Sequence, residues 1–453
     1  MLSAYINSIK IPELRKRILF TLAIIALCRL AANIPCPGVD IDALEELFSR
    51  MNRSAGGGLF TMFDLFSGGA LQNFAVAALG IMPYISASII MQLMTPVIPS
   101  LEKLQREGES GRAKINQYTR YLTLLICLVQ GSAAVRVMLN PGSVFRSGGD
   151  IQVVIVGGTL FAVGSVVILT AGTMLLVWLG EQITERGIGN GISLIITVNI
   201  LSRLPSAAWQ MVRLVRSGGA IGGVQFTLIH ALILLAMFLI VCGATVALTQ
   251  GVRKIPIRHA GRMAGRSGSG QTSYLPLRVN FSGVMPIIFG SAILVFPRLV
   301  LNAIEFTRLR GWARFFQPGD PWYMVVFGAM IILFSYFWVA NQFNPLQIAD
   351  NLQKQSGYVP GIRPGQPTAE YLDATMTRIT FAGSIFLTSI AVIPMLMANS
   401  LGVPYSIASF FGGTSLLIMV GVMLDTMRHV EAHLLSKHYD GFLRKGKLRS
   451  RRG

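Results

Sequence analysis

The chain has 453 residues, 52% hydrophobic and only 13% charged, where soluble domains run at about 25% charged. That is too little charge to cover a water-facing surface, so a soluble enzyme or binding domain is excluded. The net charge of +19 lies at the ends of apolar stretches, in two polar loops and in the tail rather than on one basic face, which argues against a nucleic-acid-binding domain.

Apolar stretches recur along the chain, each close to the roughly 20 residues a helix needs to cross hydrocarbon. Spans are expected at 18–34, 74–98, 118–139, 153–179, 188–204, 226–248, 280–301, 324–343, 377–397 and 406–424. The expected fold is therefore an all-α polytopic membrane protein of about ten transmembrane helices. An even number of crossings puts both termini on one side. Every lysine and most arginines fall on that side, which the positive-inside rule makes the cytoplasm. Residues 1–17 read as a short amphipathic helix without a small-residue cleavage site, not as a removable signal peptide. Cys28, Cys36, Cys127 and Cys242 show no paired spacing and are expected as free thiols packed like small hydrophobes.

Ten crossings divide into halves of five, 1–205 and 226–424, with an external segment at 206–225 between them and a basic tail at 425–453. An odd number of helices per half inverts the second half relative to the first. Three connections stand out. In the first, glycines bracket an apolar run too short to span, with Leu59, Phe63 and Phe66 on one helical face; it lies in the interface or folds back against the bundle. The second, 249–279, alternates apolar and basic residues near its start, as in a projecting strand pair, and carries Arg253 and Arg258 before a soft Gly265–Gly270 stretch. The third, 344–376, holds Val359-Pro360-Gly361-Ile362-Arg363-Pro364-Gly365, a turn that presents Arg363 at its tip.

No catalytic constellation emerges. Gly187-Ile188-Gly189-Asn190-Gly191 has the look of a phosphate-binding turn, but no strand precedes it. His429, His433 and His438 read as solvated rather than metal-binding. Arg29 is the clear charge inside a span, near an end where it can snorkel to headgroups, and no midplane acid or base suggests an ion-coupled carrier. Isoleucines instead mark the middle of several spans: Ile81 and Ile85, Ile192 and Ile196 one turn apart, and Ile288 and Ile418. Periodicity alone makes them lipid-facing or packing residues. Ser86, Gln92, Gln130 and Asn280 are polar groups at depth, expected to meet across helices.

Particular strings go further. Phe66-Ser67-Gly68-Gly69-Ala70-Leu71, Gly80-Ile81-Met82-Pro83-Tyr84-Ile85-Ser86, Glu107-Gly108-Glu109-Ser110-Gly111-Arg112, Gly180-Glu181-Gln182-Ile183-Thr184-Glu185-Arg186-Gly187-Ile188-Gly189-Asn190-Gly191 and the 359–365 turn resemble bacterial SecY, the channel subunit of the Sec protein translocase. The resemblance runs in order over nearly the whole chain. It implies two inverted five-helix halves around an hourglass channel, without cofactor, metal or enzymatic activity. It places Ile81, Ile85, Ile192, Ile196, Ile288 and Ile418 in the central constriction, whose branched apolar side chains exclude water yet yield around a moving polypeptide. It makes about 58–69 the plug (Leu59, Phe60, Phe63, Phe66, Gly68 and Gly69) and sets Ser86, Gln92, Gln130, Asn280 and Phe296 along a lateral gate. Arg253, Arg258 and Arg363 become contacts for the SecA ATPase and the ribosome, which supply energy from outside the chain. SecE and SecG are the implied membrane partners, signal-bearing polypeptides the substrate, and the bacterial cytoplasmic membrane, with its lipid, the setting. A small-solute secondary transporter and a membrane scaffold without a conduit are the competing readings.

Overall fold

Within hydrocarbon an unpaired backbone amide is costly, so apolar runs satisfy their own hydrogen bonds by becoming helices. The computed structural model describes residues 12–53, 64, 66–141, 153–155, 158–217, 220–221, 224–225, 227–259, 273–303, 320–400, 407, 410 and 414–445. In chain order these form α1 (Pro12–Asn33), α2 (Ile41–Arg53), α3 (Met82–Met94), α4 (Pro99–Arg106), α5 (Glu109–Leu139), α6 (Thr159–Arg186) and α7 (Gly191–Ser217). Then come β1 (Ala220–Ile221), β2 (Val224–Gln225), α8 (Leu228–Gln250), β3 (Val252–His259), β4 (Ser273–Arg278) and α9 (Met285–Ala303). α10 (Pro321–Gln342), α11 (Pro345–Lys354), β5 (Gly357–Tyr358), α12 (Gln366–Ser400) and α13 (Thr414–Lys445) complete the order.

Among the described residues, six helices are long and apolar enough to cross a membrane, or up to seven if α3 and α4, bent by 97° to each other, count as one span. The ten expected stretches all carry helix, and six of them lie in these long apolar helices. Charges at Arg15, Lys16, Arg17 and Arg29 leave α1 a short uncharged stretch, and α13 turns polar beyond Leu424. In α9 the described side chains, Met285–Leu294, form an apolar stretch. Residues expected to open the second span are instead folded into turns from Gly68 to Ile81, and α3 starts where Pro83, in its first turn, presets the backbone. Helices α5 and α12 begin well before their apolar stretches, because a helix continues into water wherever polar residues keep helical spacing.

Two compact units are present, Met1–Ser206 with Val422–Gly453, and Ala207–Gly421. In the first, α3 and α6 each pack on α5, and α1 packs on α6. Amphipathic α2, which nothing in the apolar-span pattern marks, inserts Leu44, Leu47 and Phe48 into a cluster with Phe74, Val135, Met138 and Leu169. Gly187-Ile188-Gly189-Asn190-Gly191 is a helix-to-helix turn: Asn190 Oδ1 accepts from Ser193 N (3.1 Å) at the start of α7, and Thr184 Oγ1 accepts from Gly191 N (2.9 Å). A β-carbon on Gly191 would collide with the Gly180 carbonyl and stand 2.6 Å from Ile183 Cβ. Gly191→Ala is therefore expected to destabilise the α6–α7 turn by about 1–3 kcal/mol, read as a lower thermal midpoint in detergent; an unchanged midpoint would mean the turn has slack.

In the second unit, α10 packs between α9 and α12, and α8 packs on α12, around Leu234, Phe327, Ile331, Leu387 and Leu417. Its polar connections form a three-stranded sheet in the order β4-β3-β5. β3 and β4 are the antiparallel pair expected from the alternation, from Val252↔Arg278 to Ile257↔Ser273. β5, from the other long loop, joins antiparallel through Arg258↔Tyr358 and His259↔Gly357. Ile255, Leu277 and Val359 seat the sheet on Val339, Phe343, Leu372 and Met376 of α10 and its neighbours. All four cysteines are free, and Cys28, Cys36 and Cys127 are buried.

Candidate functional site

The six isoleucines stand at or within the first two turns of α3, α7, α9 and α13. Ile81 caps α3, and Ile85 N donates to its carbonyl at 3.0 Å. Ile192 and Ile196 lie one turn apart at the start of α7, Ile288 in the first turn of α9, and Ile418 near the start of α13. Ile81, Ile85, Ile196, Ile288 and Ile418 are buried. Ile192 is half-buried and lies against Gly180 of α6.

Of the plug positions, Leu59, Phe60 and Phe63 lie outside the described residues. Phe66 and Gly68 are buried and Gly69 is half-buried, in a segment held by polar side chains from α1 and α7. Arg29 does not snorkel outward. Its Nη2 donates to the Gly68 carbonyl (3.0 Å) and its Nη1 to Asn199 Oδ1 (3.2 Å). Asn199 Nδ2 in turn donates to the Phe66 carbonyl at 3.0 Å. The buried Asp64 carboxylate pairs with the Arg203 guanidinium and accepts from Gln72 N at 3.1 Å. Gly68 (φ +68) and Gly69 (φ +96) occupy backbone that L side chains rarely adopt. A β-carbon on Gly68 would stand 2.9 Å from Asn199 Cα, and one on Gly69 2.9 Å from Arg203 Cζ. The backbone is docked directly on these side chains.

Two of the expected lateral-gate amides, Gln92 and Asn280, bond locally. Gln92 Nε2 donates within α3 to Ser88 Oγ (3.1 Å), and its Oε1 finds no partner among the described residues. Asn280 closes a local turn, donating to the Gly283 carbonyl (3.0 Å) and accepting from Ser282 Oγ (3.2 Å). A neighbour two to four residues away costs less chain entropy than one on another helix. Ser86 is buried on α3, Gln130 is half-buried on α5, and the Phe296 side chain lies outside the described residues.

Arg253 and Arg258 are exposed on β3, and Ile255 and Ile257 between them are buried. Arg363 is exposed in the turn between β5 and α12, its carbonyl accepting from Thr368 Oγ1 at 2.8 Å. The β3–β5 pairing thus puts basic groups from both long loops on one small sheet and its adjoining turn. The Gly265–Gly270 tip and the last residues of the tail lie outside the described residues.

Sequence reasoning missed Asp64, Asn199 and Arg203 as a set with Arg29. One signal was available: an aspartate inside an apolar, glycine-bracketed run needs a cation, and Arg29 and Arg203 stand at the ends of two spans.

A family model described as SecY matches residues 75–427. A protein translocase subunit SecY of Streptomyces scabiei is 42% identical over 452 residues, 98% of this chain and all of the relative. Its counterpart in Chlamydia muridarum is 41% identical over 451 residues, 98% of each. Among solved structures, one described as a protein-conducting channel superposes with a TM-score of 0.62 at 18% identity, covering 93% of this chain and 92% of the other. A second, with the same TM-score, identity and coverage, concerns a SecY plug domain said to stabilise the closed state and maintain a membrane seal. Sec61 in a canine ribosome–channel complex matches with a TM-score of 0.56, again at 18% identity over 93% and 92% of the two chains.

Proposed function

Because this chain belongs to the SecY family, we propose that it is the protein-conducting channel of a bacterial cytoplasmic membrane, passing unfolded secretory polypeptides across and releasing apolar segments sideways into lipid. The observation that carries this is the length of the match: relatives named as translocase subunits align over 98% of the chain, so the spans, both long loops and the 64–70 segment all have counterparts. A multi-pass helical protein whose apolar spans carry no charged side chain at mid-depth fits a passage for chains of any sequence better than a selective carrier.

In this proposal the six isoleucines form an apolar gasket, and 58–69 is the plug beside it. α3 and α5 face α9 and α10 across the lateral gate, where Ser86, Gln92, Gln130, Asn280 and Phe296 tune opening. A signal sequence wedges there because lipid and channel both accept an apolar helix. Both termini are cytoplasmic, so the β3–β5 sheet and the Arg363 turn face the cytoplasm, where SecA and the ribosome dock. SecE and SecG complete the membrane complex, and the halves 1–205 and 226–424 are its moving parts. The chain conducts, and its docking partners supply the work.

The test uses the complex purified from membranes and reconstituted in vesicles. A signal-bearing precursor supplied with SecA and ATP is expected to become protease-protected, and a stalled precursor is expected to cross-link to a photoreactive residue at position 85. Protection without cross-linking would remove Ile85 from the path, and absence of both would end the channel proposal.

A further inference from the structure

The isoleucines give a reason for the channel to be dry at rest, but apolar contacts have no direction and do not fix a backbone segment in one place. The 64–70 segment is fixed by other means. Two of its carbonyls, of Phe66 and Gly68, accept bonds from Asn199 and Arg29, and its one carboxylate, of Asp64, is paired with Arg203. Each of these donors sits on α1 or α7, and two of the three are cationic, so the bonds of Arg29 and Arg203 are charge-assisted. Because the acceptors on the segment are mainly backbone, the hold depends on where the chain runs rather than on which apolar side chains it carries. Gly68 and Gly69 leave no room for anything but this close approach.

We propose that Asp64, Arg203, Asn199 and Arg29 are positioning residues for the seal, a polar latch that fastens the 64–70 segment to α1 and α7 in the resting channel and lets go when the interior becomes wet. This rests on the channel reading and deepens it. Bonds of this kind are strong where water is excluded and weak where water competes for the same groups. Sealing the interior therefore strengthens the latch, and a hydrated polypeptide entering the passage weakens it, so the two devices open together. The charges are unequal, with two guanidiniums to one carboxylate. Loss of Asp64 leaves Arg29 and Arg203, close enough to repel, without the carboxylate, whereas loss of Arg203 removes that repulsion and leaves Asp64 the bond from Gln72 N.

The test is planar-bilayer conductance of the intact complex, measured at rest and with a stalled polypeptide in the passage. Asp64→Asn is expected to raise resting conductance by at least about tenfold, the effect of losing one charge-assisted contact, with the polypeptide-bound conductance unchanged. Arg203→Gln should raise resting conductance less. Arg203→Lys, which keeps the charge, should stay close to the unaltered protein, and Asp64→Asn with Arg203→Gln should leak less than Asp64→Asn alone. A merely structural defect would lower the polypeptide-bound conductance too. If Asp64→Asn fails to assemble, Asn199→Ala removes only the bonds to Phe66 and Arg29 and should still raise resting conductance. Resting conductance equal to the unaltered protein in all of these variants would overturn the latch. A failure of the channel reading looks different, because the unaltered complex itself would then show no response to the stalled polypeptide.

Discussion

Ile418→Asn is expected to raise the resting ion conductance of reconstituted channels about tenfold or more, and to pass precursors whose signal sequences are too weak for the unaltered protein. Ile418 is fully buried near the start of α13, beside the equally buried Leu416 and Leu417. An amide placed there without a partner costs roughly 1–3 kcal/mol. Water can supply the partner, so the cost falls on the dry, sealed state and not on the hydrated one. A bias of about 1.4 kcal/mol is already a tenfold shift in the closed-to-open ratio. Ile418→Val, which stays apolar, should change little. Single-channel recording and an export assay with graded signal sequences check both effects; unchanged leak and unchanged stringency would take Ile418 out of the constriction.

Arg363→Glu is expected to slow SecA-driven translocation at least about tenfold while leaving the amount and assembly of the protein normal. The side chain is exposed, and the turn is held by its own backbone through Thr368, so reversing the charge disturbs no packing. Close charge pairs across interfaces couple by about 1.5–7 kcal/mol, and the low end of that range gives the tenfold figure. The defect should shrink when SecA is raised to saturation if it lies in docking, and persist if it lies in the power stroke. Normal rates at limiting SecA would show that the turn makes no contact of consequence.

Whatever depends on spacing along the chain was legible in the sequence. Apolar runs became helices, and the Val252–Ile257 alternation became a strand paired with its neighbour. Element starts were less legible. The apolar run near Phe74 reads as helix, yet turns persist to Ile81 because Phe74 itself, buried with Leu44 and Leu47, serves the packing of α2 rather than a span. Partners far apart in sequence were the hardest. Asp64 and Arg203 stand 139 residues apart, Arg29 and Asn199 170, and no local periodicity links them. Gln92 and Asn280 each donate to a nearby group, Ser88 Oγ or the Gly283 carbonyl, where a partner on another helix was expected.

The joining of β5 to β3 makes the two long loops a single bracket bolted to α10 and α12. A protease cut anywhere in 260–272 would sever the chain yet leave both new ends gripped, one by β5 and the other by the β3–β4 pairing. Such a nicked protein should migrate as two fragments in denaturant and as one particle without it. A motor pulling on either loop would likewise load both at once, spreading its force over two membrane helices instead of one.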